Sequence, residues 1–192
     1  PFKQQDVQNA VRQYRQDRDP KEPLFAFGRC LSHFAVDPNF VYNTTHLRGT
    51  RTRFLPFNQG YNLGAGNPPS FKGFATAYLW EQVWARDSVL NLIQHFIQTV
   101  EEEDDKGNKT GEQSLIFPRY HQLDTVRRLV ADSLACGAGR CYLVQHSAGS
   151  GKSNTIAWLA HQLSVLHDVK DLRVFDSIIV ITDRRVLDRQ LQ

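Results

Sequence analysis

The stretch YLVQHSAGSGKSNTI, residues 142–156, constrains this chain more than any other: an apolar, strand-like run enters a Gly-rich turn that ends in Lys-Ser and opens a helical pattern. Gly149 and Gly151 free the backbone to take angles that side chains resist and to approach a polyphosphate closely. Residues His146, Ser147, Ala148, Gly149, Ser150 and Gly151 then form a cradle whose N–H groups point inward at an anion. Lys152 adds a point charge for the β and γ phosphates, and Ser153 offers a hydroxyl to Mg²⁺. Asn154 continues the first helical turn, whose positive dipole end adds to the attraction. Ile156, Leu159, Ala160 and Leu163 recur at helical spacing behind it. The common pattern G-x-x-x-x-G-K-[ST] would place Gly where His146 stands, so the first position departs from it.

The length of 192 residues and a 41% hydrophobic content allow one or two domains with a sizeable core. There is no run of about 18 apolar residues and no leader pattern, so membrane insertion and secretion are not expected. A cytoplasmic setting follows as an expectation. The chain starts at Pro1 and holds no Met, which suggests a piece of a longer protein. Cys30, Cys136 and Cys141 lack metal-site spacing and read as buried free thiols; the seven His are scattered, so no zinc site is expected.

Charge divides the chain. Residues 1–100 carry a net +4, residues 101–114 a net −4 and residues 115–192 a net +3. The middle segment, EEEDDKGNKTGEQS, reads as a solvated acidic linker between two domains, 1–100 and 115–192. In the first block a helix is expected over residues 6–15, with Val7, Ala10, Val11 and Tyr14 on one face. Two strand-like runs, 40–45 and 52–57, flank a turn at Arg48 and Gly49 and predict a hairpin. Arg48, Arg51 and Arg53 on that hairpin fit either a solvated face or a phosphate contact. Residues 58–69 are a loop; their G-x-G lacks the flanking strand and helix of a dinucleotide site. An aromatic-rich helical pattern runs over 76–100 through Trp80, Trp84, Leu90, Ile93, Phe96 and Ile97, suited to core packing.

After the acidic segment, Leu123, Val126, Leu129 and Val130 predict a helix that precedes the phosphate-loop strand. Gln122 at its start fits two roles: an N-terminal cap, or a reader of the N6 and N7 edge of adenine through its amide. An apolar run, Ile178 to Ile181, reads as a second buried strand. Strand, helix and strand imply a right-handed crossover in a parallel sheet, with Asp183 and Arg184 at the ligand-binding carboxyl edge, where they suit a nucleic-acid backbone.

The phrases QHSAGSGKSNTIAWLAHQL, VITDRRVLDRQLQ, FPRYHQLDTVR, FLPFNQG and TAYLWEQVWARDSVLNLI resemble the R subunit of type I restriction enzymes over nearly the whole chain. The resemblance implies an α/β chain: the C-terminal part of a restriction-endonuclease-like domain, then the start of a P-loop RecA-like lobe with a parallel sheet. It further implies ATP and Mg²⁺ as cofactors, Lys152 on the phosphates, Ser153 at the metal and Gln122 in the adenine-sensing motif. Asp183 and Arg184 would belong to the motif after the second strand. Double-stranded DNA and the methylation and specificity subunits would be partners, in ATP-driven translocation and cleavage of unmodified DNA. The family's nuclease Asp and Glu-x-Lys pair would precede Pro1, and no P-D…E-x-K arrangement occurs here, so this piece is expected neither to cut DNA nor to hydrolyse ATP alone. Another helicase-like P-loop ATPase, or a nucleotide-binding regulatory module with a basic nucleic-acid-binding block, is the alternative.

Overall fold

The computed structural model describes residues 6–71, 73–104 and 108–181, in two compact units that divide between Tyr120 and His121. The first unit opens with α1 (Val7–Arg12), started by Asp6, whose carboxylate accepts from the Asn9 N–H at 2.9 Å. The helix continues as a wider π turn over Gln13–Asp17, so the expected helix exists with a loosened end. Val7 and Val11 pack on Ala35 of β1 (His33–Val36), with Ala10, Tyr42 and Phe54 around them.

The expected hairpin forms. β2 (Val41–Thr44) pairs antiparallel with β3 (Leu55–Pro56), Tyr42 opposite Pro56 and Asn43 opposite Leu55. β1, which the sequence reading passed over, pairs with the other edge of β2 and completes a three-stranded sheet. The Asp37 side chain ties this sheet together. Its oxygens accept from the N–H groups of Asn39 and Phe40, both at 2.7 Å, which closes the β1–β2 turn, and from the Val7 N–H at 2.8 Å, which fixes α1 to that turn.

A second cluster centres on Phe57, which is fully buried. Its ring meets those of Phe34, Phe117 and Tyr120 at 5.7, 6.0 and 5.8 Å between centroids, and the Tyr78 hydroxyl donates to its carbonyl. Burial pushes the Tyr78 phenol well above its ordinary pKa, so it stays a donor.

The long helix expected over 76–100 is broken. A π turn at Leu79–Val83 precedes α2 (Arg86–His95), and the chain then becomes β4 (Gln98–Glu103). Leu79, Val83, Leu92 and Phe96 are buried as a core face requires, whereas Trp80, Trp84, Leu90 and Ile93 remain substantially exposed. β4 pairs with β5 (Lys109–Ile116) from Gln98 opposite Ile116 to Glu103 opposite Lys109, with an irregularity between Glu101 and Glu103. The segment expected to be a solvated linker is therefore largely a β-ribbon. Its Thr99, Val100, Leu115 and Ile116 favour strand, and cross-strand pairing such as Lys109 to Glu101 at 2.9 Å offsets the charge.

His33 lies almost entirely buried between the rings of Tyr14 and Phe25, each 5.8 Å away. Burial lowers its pKa below 6.5, so the unfolded chain takes up the proton more readily than the folded one. Its contribution to stability is complete above about 6.5 and declines as the pH falls below that value. The first unit should melt lower at pH 5.5 than at pH 7.5, and His33→Phe should reduce the difference. Equal drops in variant and wild type would place the effect elsewhere.

In the second unit, α3 (Tyr120–Cys136) and α4 (Lys152–Ser164) fall where the periodicity predicts them. Leu123 and Val126 are buried on α3, as are Thr155 and Trp158 on α4. The apolar runs 142–145 and 178–181 form no ladder among the described residues, and the expected parallel sheet is not seen there. Leu143 is 93% exposed, Ile179 81% and Ile181 90%. A parallel strand needs a laterally bonded neighbour and cover on both faces, and the described residues supply neither to these runs. The three cysteines are free, as expected, but Cys136 and Cys141 are exposed and Cys30 is half-buried, not buried. No helix of the described residues is long and apolar enough to cross a membrane.

Candidate functional site

The loop between Val144 and α4 is shaped by two glycines in the left-handed region, Gly149 at φ 71° and Gly151 at φ 80°. Gly151 is also the residue before the first turn of α4, and no side chain among the described residues caps that helix. The N–H groups at its start are therefore left for an anion, the arrangement that makes helix N-termini phosphate sites. A methyl group on Gly151 would stand 2.5 Å from the Gln122 amide nitrogen, the end of a flexible side chain that can shift, so it is the left-handed backbone angle that selects glycine there. Around Gly149 the space is open.

Lys152 reaches back over the loop. Its Nζ donates to the carbonyls of His146 and Ser147, both at 3.0 Å, from an exposed position. These two carbonyls hold the ammonium over the loop. Ser153 and Asn154 follow in the first turn of α4, both partly buried, and the Ser147 and Ala148 positions are exposed. Ser150 is buried, and its hydroxyl has no hydrogen-bond partner among the described residues. The donor set, an uncapped helix start with an adjacent ammonium and hydroxyl, fits a polyphosphate with its divalent cation.

Gln122 is 3% exposed and turns inward. Its amide nitrogen donates to the carbonyls of Ser150 at 3.2 Å and Gly151 at 2.8 Å. It acts here as a tether between α3 and the loop. Its amide nitrogen is engaged with main chain.

Two further neighbours complete the surroundings of the loop. His121 lies beside the same carbonyl, its Nε2 3.2 Å from Ser150 O, and Thr125 Oγ1 lies 3.4 Å from His146 Nε2. The rings of His121 and His146 meet edge to face at 4.8 Å, and His146 Nδ1 is buried without a partner among the described residues. His146 therefore occupies the position where the common pattern has Gly and packs its ring against α3. The spacing of His121 and Thr125, one turn apart on the same helix, is the signal that points to this contact. Beneath the loop lies a cavity of about 180 Å³, lined among others by Thr125, Leu129, Val144, Ile156 and Leu159. Asp183 and Arg184 lie outside the described residues.

Residues 121–192 match the family model of the SWI2/SNF2 ATPase, so this segment is similar to helicase-like ATPases that use ATP. No curated protein and no solved structure matches the chain.

Proposed function

We propose that this chain is the junction between nuclease and motor in the R subunit of a type I restriction enzyme, with the second unit starting the ATP-driven motor. The observation that carries the ATP-binding part is Lys152 held over an uncapped helix start by a loop with two left-handed glycines. The similarity of residues 121–192 to the SWI2/SNF2 ATPase supports a helicase-like motor. Bound ATP and Mg²⁺ would supply the phosphoryl bond whose hydrolysis drives movement. This chain contributes Lys152, the loop amides and Ser153 to holding them. The nuclease heritage of the first unit rests on the sequence resemblance, and with it come duplex DNA, the methylation and specificity subunits and a cytoplasmic setting. In the second reading the chain belongs to another helicase-like ATPase without a nuclease, favoured by the description of the matching family.

The two readings part on one assay. The protein carrying this chain, combined with methylation and specificity subunits, should translocate on and cleave unmethylated DNA only when ATP is present, and should spare methylated DNA. ATP hydrolysis without cleavage, indifferent to methylation, would favour the second reading.

A further inference from the structure

Between the 46–51 turn and the β-ribbon, the first unit holds a cleft of about 530 Å³, within the size range of small-ligand sites. Three kinds of chemistry meet there. Phe27 and His46 meet in a tilted pair at 4.7 Å between centroids, their planes 37° apart, giving an aromatic wall. Arg51 lines the cleft from an exposed position, and its guanidinium pairs with no carboxylate among the described residues. Gln113 brings an amide with both donor and acceptor.

Arg48, the second cation of the cleft, is held back. Its guanidinium lies 2.9 Å from Glu102 and 3.5 Å from Glu112 on the ribbon, and its Nε donates to His46 Nδ1 at 3.2 Å. That bond fixes the imidazole as an acceptor at Nδ1. Burial, with Arg48 adding to it, keeps the imidazole pKa below its ordinary value, so the wall is neutral at physiological pH. The two carboxylates sit on Arg48 as an oxyanion of a ligand would. The pairs are only partly buried, so the coupling is weak enough for a competing anion to replace it.

We propose that this cleft binds one nucleotide unit of single-stranded nucleic acid, with the base against Phe27 and His46, the phosphate on Arg51, and Glu102 and Glu112 as internal competitors for Arg48. An aromatic wall beside an unpaired guanidinium is the combination that single-strand sites use, a stacking surface with a backbone cation. A base within a duplex has its faces covered by its neighbours and cannot lie on the wall. Simple inorganic anions would use Arg51 but leave the rings idle. The site is independent of the phosphate loop and of any nuclease or motor assignment.

The test is fluorescence anisotropy of a labelled oligo-dT titrated with the whole chain, without ATP or Mg²⁺, over a series of salt concentrations. Arg51→Ala should weaken binding and reduce the slope of log K against log salt by about 0.7, the signature of one lost phosphate contact on a single strand. Phe27→Leu keeps apolar volume but removes the ring, and should weaken binding at least about fivefold with the slope unchanged. Glu112→Gln should tighten binding, since one competitor is gone. An abasic strand with the same phosphates should bind wild type about as weakly as oligo-dT binds Phe27→Leu. Equal binding of abasic and dT strands, or affinities within twofold of wild type for all three folded variants, would overturn the proposal. Either result leaves the ATPase reading standing, because no nucleotide cofactor enters the assay.

Discussion

Lys152→Ala is expected to lower ATP turnover by the protein that carries this chain on the order of 10²- to 10³-fold, the usual effect of deleting one preorganised charge at a transition state. The fold should survive it. Lys152 is exposed, and its Nζ donates to the carbonyls of His146 and Ser147, which water can satisfy in its place. A substitution of that kind usually shifts stability by no more than about 0.5 kcal/mol. The check therefore has two readouts, turnover and melting temperature, measured on the same preparation. Loss of turnover at unchanged melting supports an ammonium acting on phosphate. Retained turnover would mean that the loop does not bind the reacting nucleotide. Lys152→Arg sharpens the comparison, because a planar guanidinium keeps the charge but not the compact ammonium geometry.

Phe57→Ala is the second large effect, and it concerns the first unit alone. The ring is fully buried and touches Phe34, Phe117 and Tyr120, so its removal leaves a cavity between three aromatic rings that cannot easily close. The expected cost is about 3–5 kcal/mol. Phe57→Leu, which preserves most of the volume, should cost less than about 1.5 kcal/mol. Chemical denaturation followed by aromatic fluorescence or circular dichroism measures both. Similar costs for the two variants would show that the cluster collapses around the gap and that Phe57 is not a keystone of this unit. The main-chain carbonyl that accepts from Tyr78 remains in both variants, so the comparison isolates the ring.

The exposed runs 142–145 and 178–181 bear on how the second unit is built. Each has the apolar composition of a strand buried on both faces, and each lies without a ladder among the described residues. The phosphate loop holds its shape nonetheless, because its geometry comes from Gly149 and Gly151, the Lys152 bonds and the Gln122 tether. All of these lie between α3 and α4. Loop shape and sheet formation are thus separable in this unit.

How much could be read from the sequence differs from element to element, and the difference is physical. α3, α4 and the β2–β3 hairpin were legible because their signals are local: apolar residues at helical spacing, a Gly turn between alternating runs, a Lys-Ser pair opening a helix. The break of the long helix after His95 was not, since Phe96 and Ile97 extend the helical pattern while the following residues are captured by β5 more than ten positions ahead. The acidic run of 101–105 looked like solvated linker because charge is what one reads in it. Strand pairing there is decided by a partner strand, and no local pattern encodes it.

The sequence alone determined that a Gly-rich loop at residues 146–153 leads into a helix that starts at Lys152, with glycines where the backbone turns left-handed. Those are properties of residue type and short spacing. Only the tertiary structure decided that the Gln122 amide turns onto the carbonyls of Ser150 and Gly151, 28 and 29 positions away, and that Arg48 meets Glu102 across 54 positions. Such contacts depend on where whole elements come to rest. A side chain's partner is then set by distance in space, which spacing along the chain does not carry.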